Sequence, residues 1–235
     1  EIASCLVGSE MCIRDSGKTD LDSGLDYGTI AISKYRKSDG TNSWLVTIPG
    51  TDGKHDSPFG WPQNVELMSS DSKQRMEADS ARMVQEAMKQ AGIKSNEPVA
   101  LIGHSQGGIV AATIASDLKD DYDIEHVVTA GSPVANHPIP EKTWVTSVEM
   151  DDELVAALDG AANPSSDHWL TVRGTASKSS SNQESTFAGT PVTDAPDNKE
   201  ITHWLKYHQA AYQNATDMGC LLYTSDAADE EDSVD

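Results

Sequence analysis

The chain has little of what would tie it to a redox compartment, a membrane or a polyanion. Its three cysteines, Cys5, Cys12 and Cys220, all lie in the stretches 1–16 and 220–235. The residues between have none, so cysteine usage assigns no compartment. No apolar run approaches the roughly 18 residues of a membrane helix, and no basic segment followed by an apolar run opens the chain as a signal peptide would. Basic residues are scarce: 17 Lys and Arg stand against 38 Asp and Glu, a formal net charge of −21. Nucleic acid and anionic membrane repel such a surface, which excludes both as expected partners. There is no internal repeat. No HxxxH or clustered His/Asp set appears, so no metal is expected. No Lys-Ser/Thr follows a glycine-rich stretch, as a phosphate loop requires, and no cofactor is expected.

The two ends have a character of their own. Cys5 to Ser16 and Cys220 to Glu230 resemble translated transposon-end adapters from sequencing libraries. Residues 1–16 and 220–235 are therefore expected to be non-native tails around a domain at 17–219 whose natural start is missing, which leaves compartment open. A native acidic tail over Asp226–Asp235, disordered by self-repulsion, is the alternative. Without the tails, 29 acidic and 16 basic residues remain, a net −13, which is acidic but not extreme.

Between the ends, strand and helix signals alternate. Gly28–Tyr35 and Trp44–Ile48 are β-prone runs, separated by a turn at Ser38-Asp-Gly40 and closed by Pro49-Gly50. Thr51–Met68 has no period and is expected to be a loop or cover. Over Asp71–Ala91, Met76, Met83, Val84, Ala87 and Met88 recur at helical spacing, and Gly92 stops the helix. The methionines are expected to fill core. Strands are expected at Pro98–Ile102, Ile124–Ala130, Trp144–Glu149 and His168–Val172, and helices at Gln106–Leu118 and Ile201–Thr216. Thr175–Phe187 is expected to be a flexible loop. This alternation predicts an α/β fold, a mostly parallel sheet with helices on both faces.

Chemistry concentrates at Gly103-His104-Ser105-Gln106-Gly107, set between an apolar strand and an Ala/Ile-rich helix. A serine on a tight strand-to-helix turn needs small residues two positions to either side, or side chains would strike the adjoining backbone. The turn lifts the hydroxyl above the sheet, and the helix N-terminus favours developing negative charge. This is the pattern of a nucleophile elbow. The competing reading is a glycine-rich turn serving helix–strand packing. In this type of site the residue after the nucleophile, Gln106, supplies one oxyanion N–H, and the triad follows the order Ser, acid, His. Beyond Ser105 stand His126, His137, His168, His203 and His208. His203, at the mouth of the last helix, is the expected base. His208, more than a turn further in, is expected to point elsewhere, and His126, His137 and His168 are read as structural or out of order.

Trp44–Thr51, Gly103-His-Ser-Gln-Gly-Gly108 and Val128-Thr-Ala-Gly-Ser-Pro133 together resemble bacterial α/β-hydrolases near the class 3 lipases and the GPI-inositol-deacylase-like esterases. The likeness extends to Ala157-Leu-Asp-Gly160 and covers most of residues 28–216. It implies an α/β-hydrolase fold and a serine esterase or lipase acting on a small-molecule or lipid ester. It also implies that Thr51, in Pro49-Gly50-Thr51, gives the second oxyanion N–H, aided by its hydroxyl. In the family the acid is an Asp before an Ile-Val-Pro-like step. Glu153, before Leu154-Val155-Ala156, takes that position, with Asp152 as the alternative if the loop shifts by one residue. Asp159 is read as structural, in a turn with Gly160. A thioesterase or peptidase would use the same apparatus, and a non-catalytic binding domain on the same fold is the rival from another class. Gly53–Met68 and Thr175–Asp194 are candidate covers.

Overall fold

The computed structural model describes residues 29–51, 57–175, 177–178, 185–187, 190–192 and 201–219. The two expected tails lie outside these residues, as do 53–56 of one candidate cover and much of 176–200, which includes part of the other.

β1 (Ala31–Arg36) and β2 (Asn42–Ile48) pair antiparallel. In the turn between them the Asp39 carboxylate accepts hydrogen bonds from the Thr41 amide and hydroxyl, the local bond that makes Asp a turn former. After β2 come α1 (Trp61–Leu67), α2 (Ser72–Glu77) and α3 (Asp79–Ala91). Next are β3 (Pro98–His104), α4 (Gln106–Asp117), β4 (Asp123–Ala130), β5 (Trp144–Met150) and β6 (Trp169–Gly174). The strands lie side by side in chain order, and β2 through β6 run parallel.

Both faces of this sheet carry helices. Val145 and Val148 are an odd number of residues apart on β5, so they point to opposite faces. Val145 joins the large core with Val46, Leu101 and Val127 from the neighbouring strands and with residues of α3 and α4, among them Val84, Met88, Ile109 and Val110. Val148 and Met150 join a smaller core with Tyr207, Ala210 and Ala211 of the last helix, α5 (Leu205–Asp217). A buried ion pair ties α2 to α4: Arg75 donates two hydrogen bonds to the Asp117 carboxylate, at 2.8 and 2.5 Å, and a third to the Ser69 carbonyl.

Four expectations need correction. The Asp71–Ala91 helix is two helices. Asp71 caps α2, accepting from the Lys73 amide, and the chain turns extended at Ala78 (φ −57°, ψ 129°) before α3 begins. Apolar spacing does not register this break, because Met76 before it and Met83 and Met88 after it all reach the same core. The methionines do fill core, as expected. Thr51–Met68 is not all loop, since α1 occupies 61–67. That helix buries only Leu67 and leaves Trp61 and Val65 exposed, so no inward apolar period was there to find. Ile201–Thr216 is a 3-10 turn (Ile201–His203) and α5, separated by extended backbone at Trp204. Finally, the Ser-rich stretch holds strands: β7 (Ser177–Lys178) and β8 (Ser185–Phe187) pair antiparallel, and β9 (Thr190–Val192) completes a second small sheet.

Candidate active site

The turn from β3 into α4 is built by close approach. A Cβ on Gly103 would lie 2.1 Å from the Gly107 carbonyl group, and one on Gly107 would lie 2.3 Å from the Ile48 carbonyl oxygen. Only glycine fits at either place. Ser105 between them has φ 53°, the one positive φ on a non-glycine among the described residues. Strain of this kind persists only where the surroundings impose it. Here the Ser105 amide is held by the Ala130 carbonyl at 2.8 Å, and the Ser105 carbonyl takes the first bonds of α4.

The hydroxyl so presented meets His203. His203 Nε2 lies 3.0 Å from Ser105 Oγ, and His203 Nδ1 lies 2.7 Å from Glu153 Oε2. The second contact is short but off the line of the ring N–H. Glu153 is 7% exposed. Its Oε2 also accepts from the Val155 amide, and its Oε1 faces His208 Nε2 at 3.5 Å. Burial is the largest influence on this carboxyl and pushes its pKa up. The hydrogen bonds and charges of His203 and His208 together outweigh it and hold the group at about 2. The carboxylate is thus ionised at neutral pH and lies against the far side of the imidazole, an arrangement that can take a proton from the serine.

Gly131 makes this convergence possible. It has φ +58°, and a Cβ there would lie 2.8 Å from His208 Nε2 and 2.9 Å from both Glu153 Oε1 and His203 Nδ1. The glycine of Gly131-Ser-Pro therefore keeps open the space where three side chains meet. His104, just before Ser105, braces the same cluster. Its Nε2–H donates to the His203 carbonyl at 2.8 Å. Burial first, and then the neighbouring His203 and His208, hold the His104 pKa well below the usual imidazole value.

Thr51 and Gln106, expected to flank the oxyanion, are brought together. The Gln106 side chain donates to the Gly60 carbonyl at 2.7 Å and to Asn64 Oδ1 at 3.0 Å, with Thr51 Oγ1 at 3.5 Å. Asn64 Nδ2 donates to Thr51 Oγ1 at 3.1 Å. The backbone N–H of Gln106 sits in the first turn of α4, where an amide has no intrahelical acceptor. The Gln106 side chain, sealed inside, ties α1 and the Thr51 loop to the elbow.

The remaining candidates are elsewhere or turned aside. The carboxylate on His203 belongs to Glu153, while Asp152 is partly exposed one position earlier. Asp159 holds the loop: it accepts from the Ala135 and Ala161 amides, and its carbonyl accepts from Asn136. His137 is buried against the Leu67 carbonyl and the Thr113 hydroxyl. His126 lies within β4, and His168 just precedes β6. His208 does not point away, contrary to expectation. In a continuous helix, five residues turn about 140°, but the extended Trp204 re-aims the chain and brings His208 to Glu153. Sequence reading missed this role along with those of His104, Asn64 and Gly131; Gly131-Ser-Pro was the one visible signal. Glu153, His203 and His208 are also of metal-ligating type, with donor atoms within 4.8 Å of one another.

A parallel sheet with helices on both faces and a nucleophile-type elbow at the carboxyl end of an inner strand defines the α/β-hydrolase fold. Residues 64–186 match the family model described as PGAP1-like alpha/beta domain, and the chain belongs to this family of α/β hydrolases. The match contains Ser105, Gln106 and Glu153, while Thr51 and His203 lie outside it. No curated protein matches the chain. Among the described residues no helix is long and apolar enough to cross a membrane.

Proposed function

We propose that this hydrolase cleaves carboxylic esters through an acyl-enzyme on Ser105. The observation that carries the reading is the hydrogen bond between Ser105 Oγ and His203 Nε2 at 3.0 Å, with Glu153 Oε2 2.7 Å from His203 Nδ1 on the far side of the ring. His203 takes the serine proton as Ser105 attacks the ester carbonyl. Glu153 fixes the ring tautomer and offsets the imidazolium charge. The Gln106 and Thr51 amides receive the oxyanion. Because Thr51 Oγ1 already accepts from Asn64 Nδ2, its own O–H is available to donate to the same oxygen. The imidazolium then protonates the departing alkoxide, and water, activated by the same histidine, releases the acid and restores Ser105.

Several exposed apolar side chains stand close in the chain to these groups: Trp61 and Val65 on α1, the helix carrying Asn64, and Leu154 and Leu158 just after Glu153. They favour an ester with an apolar acyl portion, in keeping with the lipase-like resemblance, over a small polar one. The serine–histidine contact weighs against a non-catalytic domain on this fold. Labelling by a fluorophosphonate probe and turnover of nitrophenyl esters of graded chain length are the tests. The parent should label and hydrolyse, and Ser105→Ala should do neither. A labelled Ser105→Ala protein, or an inert parent, refutes the reading; a preference for thioesters or peptides corrects the substrate class.

A further inference from the structure

The cluster behind the nucleophile holds one imidazole more than a Ser–His–acid relay needs. We infer that His208 is a positioning residue: it clamps the second oxygen of Glu153, so that the first is held on His203. This rests on the ester-hydrolase reading above and deepens it.

His208 lies on α5, one turn after Trp204, and is 1% exposed. Its Nδ1–H donates to the Trp204 carbonyl at 3.1 Å, which sets the ring plane. Its Nε2 then faces Glu153 Oε1 at 3.5 Å, while Oε2 serves His203 at 2.7 Å. Each carboxylate oxygen therefore faces an imidazole nitrogen at ion-pair distance, with neither contact aligned as a hydrogen bond. The ionisable groups facing it among the described residues are Glu153, His203 and His104, whose rings lie 6.0 and 5.7 Å from it for the two histidines.

Glutamate gives this second contact its purpose. It has one more rotatable bond than aspartate, so a carboxylate held at one oxygen alone can swing away from the imidazole it must orient. A contact at the other oxygen removes that freedom. Gly131 leaves room for both rings to reach the same carboxylate, since a Cβ there would lie within 2.9 Å of all three groups.

Three substitutions separate this role from simple packing. Glutamine places an amide N–H near the position of Nε2, asparagine near that of Nδ1, and leucine offers neither. His208→Gln should keep kcat within about threefold. His208→Asn and His208→Leu should lose about 10- to 100-fold in kcat with little change in KM, the cost of a catalytic group displaced by about 1 Å. Thermal melts identify any variant that has not folded, and the glutamine–asparagine contrast is read between folded proteins. The low-field N–H resonance of His203 gives a readout independent of turnover; it should persist in His208→Gln and shift or broaden in the other two. Equal kcat in all three, or a glutamine variant as impaired as the asparagine one, overturns the inference. If the parent neither labels nor turns over, the ester reading fails, and the His203 resonance alone decides the clamp: unchanged in His208→Asn and His208→Leu, it overturns it.

Discussion

Replacing Glu153 by glutamine keeps the shape of the side chain and removes its charge, and the consequence can be worked out as a function of pH. The folded protein holds this carboxyl at about 2 against an ordinary 4.5. The difference corresponds to about 3 kcal/mol of stability at about 1.4 kcal/mol per pH unit. Because the folded value is depressed, that stability is fully present above about pH 4.5 and is lost as pH falls toward 2. Glutamine stands in for the protonated carboxyl. Parent and Glu153→Gln should therefore differ by about 3 kcal/mol near neutrality and converge near pH 2. Urea unfolding of both proteins at a series of pH values between 7 and 2 measures the gap. Carboxyls remote from Glu153 titrate equally in the two proteins and cancel, and Glu149, whose pKa the Glu153 charge helps to raise, adds only a smaller difference. A gap that stays constant down to pH 2, or no gap at pH 7, refutes the reasoning. The same variant should lose about 10⁴-fold in kcat, the cost of the equivalent change in other triads.

Gly131→Ala places a methyl group where His203, His208 and Glu153 meet, on backbone at φ +58°. Ester turnover should fall at least 100-fold, and a crystal structure should show the His203–Glu153 contact lengthened. Thr51→Val removes the hydroxyl that Asn64 orients while leaving the backbone amide. A drop in kcat of about 10-fold or more at constant KM is expected, and an unchanged kcat would assign the oxyanion to backbone donors alone. Arg75→Met strands the buried Asp117 carboxylate. Calorimetry or urea unfolding should show a loss of about 3–5 kcal/mol, with the Ser105 labelling rate preserved in the protein that remains folded.

Much of the fold was legible because it rests on local signals. The strands carry β-branched runs, and the elbow declares itself through glycines that backbone contact makes obligatory. Where the apolar pattern faced outward, as on α1, or ran through a break without losing the core, as at Ala78, the elements were merged or missed.

The site divides along the same line. The tight turn at Ser105 could be placed by sequence alone, because the residues two positions to either side of it must be small. Glu153 came from its position before Leu154-Val155-Ala156, with Asp152 beside it as a rival. Which carboxylate reaches His203 depends on a loop backbone that no residue spacing encodes. His203 was expected from chain order. That His208 shares its carboxylate was not, because one extended residue, Trp204, redirects the helix after it. The close approach of Gly103 to Gly107 within the elbow was thus determined by local sterics. The convergence of Gly131, Glu153, His203 and His208 was decided only when β4, β5 and α5 packed around one point.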